Sequence, residues 1–174
     1  KTTHAALLIF LNRTCFNGLY RVNMSNGFNV PIGSYKKPTI CDRENILSVS
    51  NALSKVEILC GDFEETLNKA ETNTFFYFDP PYKPLSKTSN FNSYAKAEFN
   101  DVEQIRLRDF CIRIGKSGHK WMVSNSDVRG REANDSFFDD IYSEFCIRRV
   151  RAKRSINVNP EKRGMLNELL ITNY

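Results

Sequence analysis

The sequence predicts an α/β fold in which a mostly parallel sheet is covered by helices and preceded by a smaller module of helices and a β-hairpin. Three observations carry the prediction. From about residue 56 onward, short apolar runs alternate with helical periodicity, the texture of successive βα steps. Two of those runs end in polar clusters, Asp79-Pro80-Pro81-Tyr82 and Ser124-Asn125-Ser126-Asp127. Open α/β sheets place ligands just beyond strand ends of this kind. Before residue 55 the pattern differs: two helical stretches enclose turn signals at Asn17-Gly18 and Ser25-Asn26-Gly27. Domain boundaries follow as 1–54 for the first module and 55–174 for the second.

Ala5, Leu7, Leu8 and Leu11 predict an amphipathic helix from about Thr3 to Asn12. Leu19 to Asn23 and Phe28 to Ile32 read as two strands joined by the Ser25-Asn26-Gly27 turn. Residues 33–42 read as loop, and Ile46, Leu47, Val49 and Leu53 mark a helix from Arg43 to Ser54. Val56 to Cys60 reads as a short buried strand and Phe63 to Lys69 as a short helix. Thr74 to Phe78 is strongly strand-like, and Pro80 and Pro81 end it because neither donates a ladder hydrogen bond. Tyr82 to Ala97 is polar and reads as a long loop, positioned to close over a bound substrate. Asp101 is placed to cap a helix reaching about Ile114, with Gly115 and Gly118 bracketing the turn after it. Strands are then expected at Lys120 to Val123, Ile141 to Val150 and Leu166 to Thr172.

The 174 residues are 41% hydrophobic and 26% charged, enough for a packed core and against wholesale disorder. Lys plus Arg exceed Asp plus Glu by 25 to 20, a mild positive balance that suits a polyanion as partner. No apolar run approaches the length of a membrane span, and the first residues lack the pattern of a signal peptide. Cytoplasmic residence is therefore expected, with no membrane partner. The five cysteines are odd in number and form no CxxC pair, so neither a disulfide framework nor a metal site is expected.

Asp79-Pro80-Pro81-Tyr82 carries the chemistry. An amine attached to an aromatic ring is nearly planar, with its lone pair delocalised. To attack a methyl sulfonium it needs acceptors aimed at its two hydrogens. The Asp79 carboxylate suits one and the Pro80 carbonyl the other, with Pro81 helping to hold that carbonyl rigid. Tyr82 suits stacking on a base held outside the double helix. Neither a covalent nucleophile nor a metal is needed. The bland alternative is a strand terminator followed by a surface tyrosine.

Further segments sharpen this reading. Leu11-Asn12-Arg13-Thr14-Cys15-Phe16-Asn17-Gly18-Leu19-Tyr20-Arg21 resembles the entry to the recognition domain of the Dam/DpnII-type DNA N6-adenine methyltransferases. So do Phe28-Asn29-Val30-Pro31-Ile32-Gly33, Gly61-Asp62-Phe63-Glu64, the block from Asp79 to Thr88, Ser124 to Asp127, Arg154 to Asn157 and Glu168 to Tyr174. The likeness covers nearly the whole chain in the family's order. It implies a Rossmann-like class I methyltransferase sheet, incomplete in this chain, with the hairpin as DNA-recognition module. It implies methyl transfer from S-adenosyl-L-methionine to adenine N6 in double-stranded DNA, at a target such as GATC, in a bacterial or phage setting. By position, Asp62 and Phe63 would hold the adenosine end of the cofactor, with Asp79 at its reactive end. Asp79, Pro80, Pro81 and Tyr82 would form the catalytic mouth. Asn17, Leu19, Arg21 and Pro31 would lie at the DNA face, with Arg13 beside them and Phe16 close to the opened base pair. Where some relatives carry arginine three residues after the hairpin proline, this chain has Ser34.

The resemblance also implies an upstream half with a Phe-x-Gly-Gly turn and an acidic residue for the ribose. No such turn occurs in these 174 residues. The expectation is a C-terminal portion whose N-terminal half comes from the same gene or a separate chain, inactive in transfer without it. Two other classes stay open: a sequence-specific DNA-binding fragment without catalysis, and methylation of a different planar amine. Finally, Arg148, Arg149, Arg151, Lys153 and Arg154 form a basic run. It suits phosphate contact, with a solvated strand edge as the alternative.

Overall fold

The computed structural model describes residues 1–83, 99–130, 135–153 and 165–174. The chain forms two compact units, Lys1–Gly61 and Asp62–Tyr174.

In the first unit, helix α1 (Thr2–Thr14) carries the apolar stripe read from the sequence and ends in extended backbone at Cys15. Helix α2 (Arg43–Leu53) begins where the Asp42 side chain accepts from the Asn45 amide, which satisfies one of the free donors of its first turn. The intervening hairpin is thinner than expected. It is held by two isolated antiparallel bridges, Cys15 to Ile32 and Val22 to Phe28, instead of two continuous strands. Asn17 and Gly18 both have positive φ, 54° and 63°, which turns the chain sharply out of α1. At the loop tip the Asn23 side chain accepts from the amides of Ser25 and Gly27, so a side chain does work that ladder bonds would otherwise do. Gly33 has a steric reason: a Cβ there would lie 2.8 Å from the Cys15 carbonyl and 2.4 Å from the Tyr35 ring.

Val56 to Cys60 is not a strand. It is irregular, and Val56, Ile58 and Leu59 are exposed. The apolar run has the composition of a buried strand, but no ladder partner lies beside it among the described residues. Composition cannot supply one.

The second unit is a four-stranded sheet in the order β1-β2-β4-β3, formed by β1 (Phe75–Phe78), β2 (Lys120–Ser126), β3 (Cys146–Lys153) and β4 (Met165–Thr172). Only the β1–β2 ladder is parallel; β2–β4 and β3–β4 are antiparallel. This corrects the expectation of a mostly parallel sheet. β1, β2 and β3 do run in one direction, but β4 is inserted in reverse between β2 and β3. Local patterns do not encode that order.

Helix α3 (Asp101–Lys116) starts at Asn100, whose side chain accepts from the amides of Val102 and Glu103. The cap is therefore Asn100, and Asp101 is the first helical residue. Helix α4 (Phe137–Ile141) occupies the start of the stretch expected to be one strand from Ile141, and that strand begins only at Cys146. Phe138 and Tyr142 are buried here, so tertiary contact outweighs the local β pattern.

The core is aromatic. Phe76 and Phe78 of β1 meet Phe110 of α3 edge-on, and Trp121 of β2 packs on Phe145 at 4.8 Å between centroids. Leu107, Cys111, Ile114, Val123, Leu169 and Ile171 fill the rest. Alternation along the strands decides what faces this core. Trp121, Val123 and Asn125 point to the core face, and Ser124 falls on the other face with Tyr77 of β1.

Candidate functional site

Asp79 follows the last residue of β1, exposed, and the chain then turns through Pro80, Pro81 and Tyr82. Every fixed point of this turn comes from β2 or α3. Ser124 Oγ donates to Asp79 Oδ1 at 2.8 Å. Asn125 Oδ1 accepts from the Lys83 amide at 3.0 Å, and Ser126 Oγ donates to the Lys83 carbonyl at 2.6 Å. Gln104 of α3 donates to the Pro81 carbonyl at 3.1 Å and accepts from Asn125 Nδ2 at 3.1 Å. Gln104 and Asn125 are fully buried, so this pair of amides is satisfied without water. Lys83 is fastened as well, with its ammonium 2.5 Å from Asp101 and over the Phe137 ring. Among the described residues no donor reaches Asp79 Oδ2 or the Pro80 carbonyl.

The sequence placed Ser124, Asn125 and Ser126 after a strand, but they are its last three residues. Their alternation sends Asn125 inward to Gln104 and the two serines to the mouth. Gln104 was not anticipated. The available signal was a polar residue on the inner face of an amphipathic helix, the usual mark of a buried hydrogen-bonding role.

Tyr82 lies partly buried after the two prolines. Burial, with the negative charges of Glu168 and Asp79 nearby, pushes its phenol above the ordinary tyrosine range, so the ring stays neutral at physiological pH.

Asp62 caps the short 3-10 helix Phe63–Lys69 by accepting from the Glu64 amide. Arg106 of α3 grips it with both guanidinium ends, at 2.9 and 2.8 Å. Those bonds hold the Asp62 carboxyl at about 2, well under the usual aspartate value. Arg106 also pairs with Glu64 and Glu103 and sits 4.1 Å over the Phe63 ring, and Arg113 pairs with Glu64. Among the described residues Asp62 Oδ1 thus has two donors and Oδ2 one, so Oδ2 keeps a lone pair for a further donor. An adenine amino group fits that acceptor.

In the first unit Arg13, Phe16, Asn17, Leu19, Arg21 and Pro31 are all exposed. Arg21 reaches across the hairpin to Asn29, donating from Nε to its side chain and from Nη2 to its carbonyl, both at 2.9 Å. The Pro31 carbonyl accepts from the Phe16 amide at 2.8 Å, which ties the two sides of the hairpin base together.

The basic run divides by alternation. Arg148 pairs with Leu170 and so lies on the face of Ser124, which pairs with the same residue. Arg149 falls on the opposite face, where Asp127 and Asp139 hold it at 3.2 and 2.7 Å. Arg151 shares the parity of Arg149. Arg154 lies outside the described residues, as does the expected closing loop beyond Lys83. Among the described residues no helix is long and apolar enough to cross a membrane, and no His, Cys, Asp and Glu groups converge as metal ligands.

Comparison with known proteins bears on both units. The chain is 52% identical over 170 residues to the type II methyltransferase M.MjaIII of Methanocaldococcus jannaschii, covering 97% of this chain and 57% of that protein. It is 41% identical to the type II methyltransferase M1.LlaDCHI of Lactococcus lactis subsp. cremoris, covering 98% of this chain and 58% of that protein. A DNA adenine methylase of Haemophilus influenzae is 38% identical, with 94% of this chain and 55% of that protein covered. The chain thus spans a little over half the length of these relatives. The model of the D12 class N6 adenine-specific DNA methyltransferases matches residues 1–156, from α1 through the mouth and β3, and the chain belongs to that family.

Proposed function

We propose that the protein carrying this chain transfers a methyl group from S-adenosyl-L-methionine to adenine N6 in duplex DNA, at GATC. Residues 1–54 serve as the recognition module and residues 55–174 as the C-terminal part of the catalytic domain. The observation that carries the reading is the Asp79-to-Tyr82 turn: fastened from behind by buried side chains, with Asp79 exposed and with two acceptors at its tip, Asp79 Oδ2 and the Pro80 carbonyl, that no donor among the described residues reaches.

When bound, S-adenosyl-L-methionine supplies an electrophilic methyl on a sulfonium. Asp62 Oδ2 has the spare lone pair to take the adenosine amino group, and Phe63 flanks it. Asp79 Oδ2 and the Pro80 carbonyl accept the two N6 hydrogens of the adenine. That localises the nitrogen lone pair on N6, away from the ring, and Asp79 Oδ2 or solvent would take the proton that N6 gives up once methylated. Because the turn is already fixed, little reorganisation is needed as charge develops. Tyr82, neutral and amphipathic, stacks on the extruded base. Asn17, Leu19, Arg21 and Pro31 face the DNA, with Phe16 near the opened pair, and Arg13, Arg148, Arg151 and Arg154 supply phosphate contacts, while Arg149 is held by Asp127 and Asp139.

The test is transfer of tritiated methyl by the full-length protein to two duplexes, one containing GATC and one with that site scrambled. Incorporation on the first, mapped to N6-methyladenine, is the expected result. No incorporation on either duplex would refute catalysis and leave a DNA-binding role. Equal incorporation on both would refute GATC as the target.

A further inference from the structure

We propose that Ser124 is a positioning residue that aims the Asp79 carboxylate. This rests on the methyltransferase reading above and deepens it.

Ser124 is 3% exposed and stands on β2 beside the end of β1. A serine hydroxyl has one proton and two lone pairs. Two acceptors lie within reach of the proton, Asp79 Oδ1 at 2.8 Å and the Phe78 carbonyl at 3.4 Å. The shorter bond to a carboxylate is also charge-assisted, so the proton belongs to Asp79. The lone pairs are then free to accept, and Tyr77 donates to one of them at 3.1 Å. One buried oxygen, itself held by the neighbouring strand, therefore fixes the acceptor for the amine.

The arrangement has a physical purpose. Asp79 is exposed and sits past the end of its strand. Left alone, such a carboxylate turns about its side-chain bonds and presents either oxygen. With Oδ1 pinned by Ser124, Oδ2 is the one left for the amine. A buried hydroxyl is costly unless bonded, and a strand position needs none for packing alone.

The experiment uses the full-length protein with a GATC duplex. Ser124→Ala should lower kcat ~10–100-fold, the scale of a small misplacement at a reacting centre. KM for DNA and for cofactor should stay near wild type, since neither binding surface is touched. Ser124→Cys keeps the volume but gives a weak donor, so it should also lose turnover even where alanine disturbs folding. Ser124→Thr, which restores the hydroxyl, should recover most of it. In an Asp79→Ala background the Ser124→Ala change should have no further effect, because the group it aims is gone. Wild-type kcat in the Ala or Cys variant, or losses that simply add in the double variant, would overturn the proposal. Absence of transfer by the wild-type protein would instead sink the methyltransferase reading and take this inference with it.

Discussion

Replacing Asn125 by alanine tests whether the buried amides behind the Asp79 turn carry stability. The side chain makes three hydrogen bonds of 3.1 Å or less: Oδ1 takes the Lys83 and Ser126 amides, and Nδ2 reaches Gln104. Alanine leaves all three partners short. Lys83 is only half-buried and recovers a bond from water, so it adds little. The Ser126 amide and Gln104 Oε1 are buried, and an unsatisfied group of that kind costs ~1–3 kcal/mol. The pair therefore costs ~2–6 kcal/mol, and water entering the space left by the side chain brings this to about 3 kcal/mol. In a chain of this size that is a fall in Tm of about 6–12 °C. Urea unfolding gives the energy, and hydrogen exchange locates it, since the Lys83 amide should lose protection. Asn125→Asp is the sharper control. It keeps the shape but turns an oxygen toward Gln104 Oε1, and flipping Gln104 only moves the clash to the Pro81 carbonyl. That variant should be at least as unstable as alanine at neutral pH. Its carboxyl is buried beside acceptors, so its pKa is raised, and it should regain stability as pH falls and the acid becomes a donor. A loss under ~1 kcal/mol in the alanine variant, with Lys83 exchange unchanged, would refute the reasoning.

Asp79→Ala should reduce methyl transfer severely, to a measurable residue, and preserve much of the DNA affinity, read as tritium incorporation beside a binding isotherm; near-normal turnover would remove Asp79 from the chemistry. Arg106→Ala should free Asp62 and alter the acid limb of stability. The Asp62 carboxyl is held at about 2 in the folded chain against 3.8 for a free aspartate, so its contribution is complete above 3.8 and disappears as pH falls toward 2. Acid titration of the variant should show a weaker dependence in that window, and an identical curve would count against the clamp. Arg21→Ala should weaken cognate DNA more than scrambled DNA, by about 1–3 kcal/mol if its fork reads a base edge. Equal losses on both duplexes would assign it to phosphate or to its bond with Asn29. Arg148→Ala should lower affinity on both duplexes and flatten the salt dependence. Arg149→Ala should act chiefly on stability, through Asp127 and Asp139, so unfolding and binding measurements separate the two arginines.

Much of the site is legible in the order of residues. Two prolines after an apolar strand fix where β1 must end, and a carboxylate placed there has to emerge at the strand's tip, because steric and hydrogen-bonding limits on proline are local. Asn17-Gly18 and Asn23 to Gly27 encode their turns in the same way, through positive φ and side-chain capture of amides. The helices α1, α2 and α3 follow from apolar periodicity. Family membership is also written in the sequence, as a set of short segments in a fixed order.

What the sequence leaves undecided depends on partners far along the chain. Val56 to Cys60 has strand composition and forms none, since a strand exists only with a neighbour to bond. β4 enters the sheet in reverse between β2 and β3, and that insertion places Glu168 near Tyr82. The pleat then splits a run of arginines that looks uniform in sequence, sending Arg148 to one face and Arg149 into the grip of two aspartates. Gln104 and Ser124 acquire their roles only when α3 and β2 are packed against the Asp79 turn. Hydrogen bonds between residues 23 or 45 positions apart belong to the packing of elements, and local propensity carries no record of them.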